Sequence, residues 1–396
     1  MKLTFFLFTD LRTGAGTERV ALELIKNKPM DIDIQIIETD RMNKERISEE
    51  EIKRITKGCR IIKIPFPKWH KIRMRGIFTN ILNVTVKPTL RVYNHLSKKI
   101  IDDIHDTDAV YFFNNLYSVF YKGFKNKIPL IGTGHTGFPI IPKIEEEMGL
   151  LTNPMKKIWA NMYYKIYSEN LNGIHLFTHS KKILDLYPYK YKMVLGNGVD
   201  TSAYYPDILM HNGTVKFLFV ARLEKSKGLF IIQEILKRLN CDFSYEFHIA
   251  GGGSMEYLMR EMSKNNKRII YHGILKDSDL EKLYRECDVF VYPTLWDTFA
   301  IVVLQALSSG LYVIDSEKQR GTYDDFLDKN LEYLHPDPLT FYNRMVQIIQ
   351  NRKTILFDKK MVYNHIKENY DWKVISDKFY TYMRDFYNDS NIQNKS

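Results

Sequence analysis

The stretch DVFVYPTLWDTFAIVVLQALSSG, residues Asp288–Gly310, decides the fold predicted for this chain. Val289–Tyr292 is a short apolar run that predicts a buried strand, and a loop opened by Pro293 follows it. A helix is expected from about Thr298 to a stop at Gly310. Because a helix that starts just beyond a strand presents unpaired N–H groups and the positive end of its dipole, this segment suits a phosphate.

Two polar side chains flank the predicted helix start. Asp297 lies just before it, and Gln305 follows eight residues later, about two helical turns along. On a helical backbone both side chains could reach one elongated ligand. The alternative is a solvated capping carboxylate and a surface glutamine, and the stretch alone favours neither interpretation.

Length and composition bound the class of protein. A chain of 396 residues with 44% apolar residues predicts two globular domains, each with its own core. No run of eighteen apolar residues exists to span a membrane, and the strand pattern at Lys2–Phe8 argues against a secretory leader, so we expect a cytoplasmic protein. Cys59, Cys241 and Cys287 lie far apart, which supports neither a disulfide framework nor a zinc site.

The positive charge is concentrated in one segment, residues 52–101. It contains thirteen Lys or Arg and no Asp or Glu, whereas the whole chain carries a net charge of +11. A surface of one sign attracts polyanions, and interleaved apolar residues such as Trp69 and Phe78 favour an interfacial loop or amphipathic helix. This segment predicts binding to an anionic membrane surface; a basic but merely soluble face is the alternative.

Strands and helices alternate along both halves of the chain. Leu3–Thr9 is strand-like, and the turn Gly14–Gly16 leads into a helix, the arrangement that lets a backbone approach a ligand. The turn lacks the third glycine of a dinucleotide fingerprint. Another predicted strand, Ile128–Gly134, ends at His135, on the side where open α/β sheets bind ligands, although a lone histidine is more often structural.

The alternation restarts after a linker at Ser202–Gly213. The restart predicts an α/β fold of two Rossmann-like, doubly wound domains that face each other across a cleft. We place them at residues 1–205 and 214–370. Residues 371–387 are expected to form a C-terminal helix that crosses back to the first domain, followed by a frayed polar tail from Asn388.

The loops of the second half carry the predicted chemistry. Arg222 and Lys227 follow one strand, glycines 251–253 the next, Gly273 another, and Asp297 the strand of the opening stretch. Because parallel strands bring their carboxyl ends to one edge, two cations and several backbone donors would converge where a diphosphate could lie.

At this point the residues resemble a known family. The segments VARLEKSKG, FHIAGGG, IIYHGILKDSDLEKLYRECDVFVYPT and DTFAIVVLQALSSG, together with GAGTER, HS and NGVD in the first half, are similar in order and spacing to retaining GT-B glycosyltransferases of the group 1 type, family 4. The similarity runs from about Leu3 to Tyr387. It implies a GT-B fold and transfer of a hexose from a nucleoside diphosphate sugar to an acceptor hydroxyl, which would be lipid-linked, glycan or protein-glycan, with retention of anomeric configuration.

The resemblance also implies roles for individual residues. Arg222 and Lys227 would bind the diphosphate and stabilise the leaving charge, and His135 and Asp297 would lie near the reacting sugar. The first domain would lie on the acceptor side, and the second would bind the nucleotide sugar. The loop of Gly273, Ile274 and Leu275 would hold the base, largely through backbone groups. Gln305 would contact the ribose, and the loop of Gly16 would lie against the donor or the acceptor. The start of the helix would hold the phosphates and the sugar through Thr298, Phe299, Ala300, Ile301 and Val302. Neither a cofactor nor a metal is expected, because cations and a helix dipole would neutralise the phosphates.

This sequence departs from the family pattern in the opening stretch. The family usually has two glutamates eight positions apart, where this chain has Asp297 and Gln305. Aspartate is one methylene shorter, so contact with the sugar would need a backbone shift or a bridging water. Ala15 replaces a usual glycine, and SEKQRGTYDD, residues 316–325, replaces a glycine-rich turn.

These departures leave alternatives open. One is a nucleotide-sugar-binding or scaffolding relative with impaired catalysis, and another is a sugar-nucleotide epimerase or phosphorylase of the same fold. Nucleic-acid binding through residues 52–101 is a further alternative, but no nucleic-acid-binding module is recognisable, so no nucleic-acid partner is expected.

Overall fold

The computed structural model describes residues 1–65 apart from 8, 15 and 41–44, residues 106–113 and 130–133, positions 154, 157, 158, 161, 175–178 and 180, and residues 191–393 apart from 208–212, 240–242 and 328. The chain divides into two compact units. The N-terminal unit contains Met1–Gly196 and Ile375–Ser396, and the C-terminal unit contains Asn197–Val374.

The N-terminal unit has a parallel seven-stranded sheet in the order β3-β2-β1-β4-β5-β6-β7. Its strands are β1 (Lys2–Phe6), β2 (Asp33–Thr39), β3 (Arg60–Ile64), β4 (Ala109–Phe112), β5 (Leu130–Thr133), β6 (His175–Thr178) and β7 (Tyr191–Val194). Its first helices are α1 (Gly16–Lys26) and α2 (Glu49–Ile55), and a short 3₁₀ turn covers Leu11–Thr13. Ser48 caps α2 by accepting from the Glu51 N–H, which explains why this short helix starts there.

The C-terminal unit has a parallel six-stranded sheet in the order β10-β9-β8-β11-β12-β13. Its strands are β8 (Val215–Val220), β9 (Tyr245–Ala250), β10 (Ile269–Gly273), β11 (Val289–Tyr292), β12 (Tyr312–Ser316) and β13 (Leu331–Leu334). Its helices are α3 (Leu229–Arg238), α4 (Glu256–Asn265), α5 (Asp277–Glu286), α6 (Ile301–Ser308), α7 (Pro338–Gln350) and α8 (Lys359–Asn369). The central strands β8 and β11 are almost wholly buried because helices cover both faces of such a sheet.

A last helix, α9 (Trp372–Gln393), ends the described chain, and most of it belongs to the N-terminal unit. The ring of Phe379 is fully buried and contacts the rings of Phe5, Tyr111 and Phe177. The Tyr380 hydroxyl donates to the Leu24 carbonyl oxygen at 2.6 Å. The end of the chain therefore completes the core of the unit with which the chain begins.

The bounds predicted for Leu3–Thr9, Ile128–Gly134 and Val289–Tyr292 lie within three residues of β1, β5 and β11, and the expected α/β class is confirmed. Three details differ. The helix expected from Thr298 begins at Ile301, because the backbone of Ala300 is still extended. The tail expected to fray from Asn388 remains helical to Gln393. The predictions also omitted β13, which has only four residues, and α8, in which only Val362 and Ile366 are buried.

Candidate functional site

The candidate site lies at the carboxyl edge of the C-terminal sheet. β8 and β11 are direct neighbours, with Val289 paired to Phe217 and Phe290 to Leu218. Because both strands run parallel, the loop that follows β8 lies beside the loop that follows β11. The Leu295 N–H donates to the Ser226 carbonyl oxygen at 2.9 Å, which holds the two loops together.

This neighbourhood brings Lys227 and Asp297 into contact. The Lys227 Nζ lies 2.5 Å from the Asp297 Oδ2, although the residues are 70 positions apart in the chain. Only 13% of the lysine side chain and 18% of the aspartate side chain are exposed. Two residues predicted to act on the donor therefore form a largely buried ion pair.

Two further donors fix the Asp297 carboxylate. The Tyr292 hydroxyl donates to Oδ2 at 2.9 Å, and the Thr298 N–H donates to Oδ1 at 2.8 Å. Burial alone would raise the pKa of Asp297, but the charge of Lys227 and these hydrogen bonds outweigh it and lower the pKa. The carboxylate is therefore ionised across the neutral pH range.

Arg222, the other predicted phosphate ligand, is in a different environment. Two thirds of its side chain are exposed, and its Nη1 lies 3.4 Å from the Glu224 Oε1. An exposed pair at this distance is weak and is readily exchanged for a stronger anion. Arg222 can therefore turn to a phosphate at little cost.

The start of α6 provides backbone donors. Ala300 precedes the helix and has no side-chain oxygen that could cap it. The fully buried Tyr323 supports this point, because its hydroxyl donates to the Ala300 carbonyl oxygen at 2.7 Å. Of the predicted helix-start residues, Ile301 and Val302 lie in the first turn, whereas Thr298 and Phe299 lie in the preceding loop. The arrangement suits an anion.

Gln305 lies farther along α6. Its Oε1 accepts from the Tyr284 hydroxyl at 3.4 Å, and the same hydroxyl lies 3.2 Å from the Val302 carbonyl oxygen. Tyr284 is fully buried in α5. The predicted ribose contact of Gln305 stays a prediction.

The loop predicted to hold the base follows β10. Gly273 has φ +69°, a left-handed conformation that favours glycine, and 48% of Ile274 is exposed. Leu275 packs against the core of the unit. An added Cβ at Gly252 would lie 2.8 Å from the Ile274 Cδ1, so the loops after β9 and β10 are in contact.

In the N-terminal unit only part of the predicted site can be placed. Gly16 is exposed and is the first residue of α1. His135 lies outside the described residues, as does most of the basic segment, from residue 66 to residue 101.

The structure shows a charged cluster in this unit that the sequence analysis missed. The buried Asp10 accepts two hydrogen bonds from the Arg12 guanidinium and one from Lys63 at 3.0 Å, and Lys63 lies 3.3 Å from the buried Glu38. Burial opposes ionisation, yet these bonds lower the pKa of Asp10 to about 2. The sequence signal was a charged residue near the carboxyl end of each of the first three strands: Asp10 after β1, Glu38 in β2 and Lys63 in β3.

The C-terminal unit has its own missed residues, Tyr292, Tyr323 and Gln319. The buried Gln319 side chain lies in the segment that departs from the family pattern, and its Nε2 is 3.5 Å from the Asp297 carbonyl oxygen. Tyr292 was predicted only as the last residue of a buried strand, and Tyr323 lies between β12 and β13, so the partners of their hydroxyl groups were not foreseen.

Neither a metal centre nor a membrane span is found among the described residues. No group of three or more His, Cys, Asp or Glu side chains in those ranges could hold a metal ion. Within the same ranges, no helix is both long enough and apolar enough to cross a membrane.

Part of the C-terminal unit is similar to a known protein family. Residues 214–351 match the family model described as glycosyl transferases group 1. One component of the human phosphatidylinositol N-acetylglucosaminyltransferase is 22% identical over 191 residues, covering 47% of this chain and 39% of that protein. The chain spans less than half the length of the curated relatives that it matches.

Solved structures resemble nearly the whole chain. Sucrose-phosphate synthase of Thermosynechococcus elongatus has a TM-score of 0.75 at 12% identity and covers 98% of this chain and 99% of its own. HepE of Anabaena, solved in complex with UDP and glucose, has a TM-score of 0.69 at 13% identity, covering 97% and 99%. At such identities the likeness establishes the fold. The chain therefore has the GT-B fold, and its residues 214–351 match the group 1 glycosyl transferases.

Proposed function

We propose that the protein is a retaining glycosyltransferase that moves a hexose from a nucleoside diphosphate sugar to an acceptor hydroxyl. The observation that carries the proposal is that Arg222 and Lys227 both follow β8 at the carboxyl edge of the C-terminal sheet, and that Lys227 contacts Asp297 just before α6. The family match covers the same unit. A similar structure, HepE of Anabaena, was solved with UDP and glucose, which supports a nucleotide-sugar donor.

The proposed chemistry breaks the bond between the anomeric carbon and the diphosphate oxygen and forms a new bond to the acceptor oxygen on the same face. Arg222, Lys227 and the N–H groups at the start of α6 stabilise the charge that develops on the diphosphate. The leaving phosphate takes the proton of the acceptor hydroxyl. These groups supply the positive charge, so we propose that the reaction needs no metal.

Substitution of the two cations tests the proposal. We expect Arg222→Ala and Lys227→Ala each to lower sugar transfer by about 10²-fold or more, because preorganised charge at the leaving group is lost. Transfer is assayed with EDTA over a panel of nucleotide sugars, and NMR of the product gives its anomeric configuration. Lys237→Ala is the matched control, since Lys237 is exposed on α3 and pairs only with its neighbour Glu234 among the contacts described. Wild-type transfer rates in both variants would refute the site.

A second candidate is a nucleotide-sugar-binding relative with impaired catalysis. The observation in its favour is that Asp297 contacts Lys227, Tyr292 and Thr298, whereas the family resemblance assigns it to the sugar. Donor binding without transfer or donor hydrolysis, in an assay sensitive enough to detect a single slow turnover, would favour this candidate.

We further propose a lipid-linked acceptor, which the basic segment at residues 52–101 would approach on an anionic membrane surface. The human relative is named for a phosphatidylinositol N-acetylglucosaminyltransferase, which supports a lipid acceptor. Glycan acceptors remain the alternative.

Vesicle binding tests this membrane proposal. We expect the protein to co-sediment with vesicles that contain phosphatidylserine and to be released by high salt, because the attraction between basic side chains and lipid head groups is screened. Vesicles of phosphatidylcholine alone are the control. Equal binding to both vesicle types, or binding unaffected by salt, would contradict the proposal.

A further inference from the structure

The Lys227 ammonium, which the proposed function assigns to the donor diphosphate, already has an anionic partner. Its Nζ lies 2.5 Å from the Asp297 Oδ2, and less than a fifth of either side chain is exposed. Charges separated from water in this way interact far more strongly than exposed pairs. Arg222 differs, because it is 66% exposed and lies 3.4 Å from its partner Glu224.

The Asp297 carboxylate is held where it is by groups that carry no charge. The hydroxyl of Tyr292, which is only 1% exposed at the end of β11, donates to one oxygen, and the Thr298 N–H donates to the other. These two bonds do not depend on Lys227, so the carboxylate would remain in place when the lysine contacts a phosphate. The charge of Lys227 is therefore already compensated when a diphosphate binds next to it. The diphosphate would also lie close to the fixed negative charge of Asp297.

Resting on the proposed function, we propose that Asp297 sets the affinity of the diphosphate site by neutralising Lys227, and that it makes binding of a nucleoside diphosphate weaker than the lysine alone would. Such weakening favours release of the nucleoside diphosphate product, and product release is the slow step of many enzymes. Asp297 is thus a positioning residue that acts through Lys227. The role implied by the family resemblance, a contact with the sugar, makes a different prediction.

The two roles are distinguished by a ligand that lacks the transferred hexose. UDP and UDP-glucose are titrated by calorimetry into the wild type, Asp297→Asn and Asp297→Glu, with GDP and GDP-mannose in parallel. We expect Asp297→Asn to bind the nucleoside diphosphate about fivefold to tenfold more tightly, because one opposing charge is removed. The gain should decrease with increasing salt. Asp297→Glu keeps the charge and should show no such gain.

Glu261→Gln is the matched control, because it removes the same charge from an exposed position on α4. An equal gain in this variant would refute the proposal, since net charge would then explain the effect. Unchanged UDP affinity with weaker UDP-glucose binding in Asp297→Asn would refute it in favour of a sugar contact. Weaker UDP binding in that variant would refute it as well. If the wild type binds none of these nucleotides, the proposed function fails first, and the inference fails with it.

Discussion

At the scale of single residues, the site depends on where one shortened side chain places its carboxylate. Asp297 stands where relatives of the resembled family usually have glutamate, and its oxygens accept from Lys227, Tyr292 and Thr298. Burial disfavours the ionised form, but the lysine charge and the hydrogen bonds lower the pKa. Because the folded-state pKa lies below the unfolded-state value of about 3.9, ionised Asp297 stabilises the fold above that pH.

Tyr292→Phe tests this account of the buried carboxylate. We expect the free energy of unfolding at pH 7 to fall by about 1.5–3 kcal/mol, since a hydrogen bond to a charged group is lost. Removing that bond raises the folded-state pKa of Asp297. The difference between wild type and variant should therefore shrink as the pH falls below about 4 and Asp297 becomes protonated. Urea unfolding between pH 7 and pH 3 measures both effects.

Tyr323→Phe is the control, because this equally buried hydroxyl donates to a neutral acceptor, the Ala300 carbonyl oxygen. Its stability loss should be about 1 kcal/mol and independent of pH. If the Tyr292→Phe loss is also constant with pH, the hydroxyl does not support the ionised carboxylate.

At the scale of elements, close contact between two loops positions the site. Gly228, between the 3₁₀ turn of Lys225–Lys227 and α3, has φ +74°, and an added Cβ would lie 2.0 Å from the Pro293 carbonyl oxygen. The loops after β8 and β11 can approach this closely only because no side chain separates them.

Gly228→Ala should therefore be strongly destabilising. Gly273→Ala is its matched control, because Gly273 has a similar φ of +69° but nothing within 4 Å of an added Cβ. We expect about 1 kcal/mol for the control, the cost of the left-handed backbone alone. Gly228→Ala should cost at least about 3 kcal/mol, as the backbone must shift to relieve the overlap. Thermal unfolding compares the two, and equal costs would show that the loops are not held in this contact.

The bounds of the strands and helices show which structural features a local sequence pattern can predict. The bounds of β11 match the prediction because Val289–Tyr292 is a short apolar run between Asp288 and Pro293. β13, LEYL, is too short and mixed for a period to show, and α8 has only Val362 and Ile366 buried. The start of α6 was placed three residues early, because a propensity pattern does not reveal that the Asp297 carboxylate accepts from the Thr298 N–H in the preceding loop.

At the scale of the whole molecule, the chain begins and ends in the same unit. Phe379, near the C-terminus, contributes to the aromatic core around Phe5 and Tyr111, and Arg384 pairs with Asp31 at 2.8 Å. A helix over residues 371–387 was expected from the sequence, but the sequence of that helix does not identify the side chains that it packs against. Which rings it would meet depended on the order of strands in the N-terminal sheet.

The sequence by itself determined the alternation of strands and helices, the restart after the linker and the presence of cations and glycines at strand ends. These features follow from hydrophobic period and turn chemistry, which are local. Only the tertiary structure decided that β8 lies beside β11 and, with it, that Lys227 meets Asp297. Strand order is set by packing between segments that are distant in sequence. The ion pair at the candidate donor site could therefore not be predicted from the segment of Lys227 or the segment of Asp297 alone.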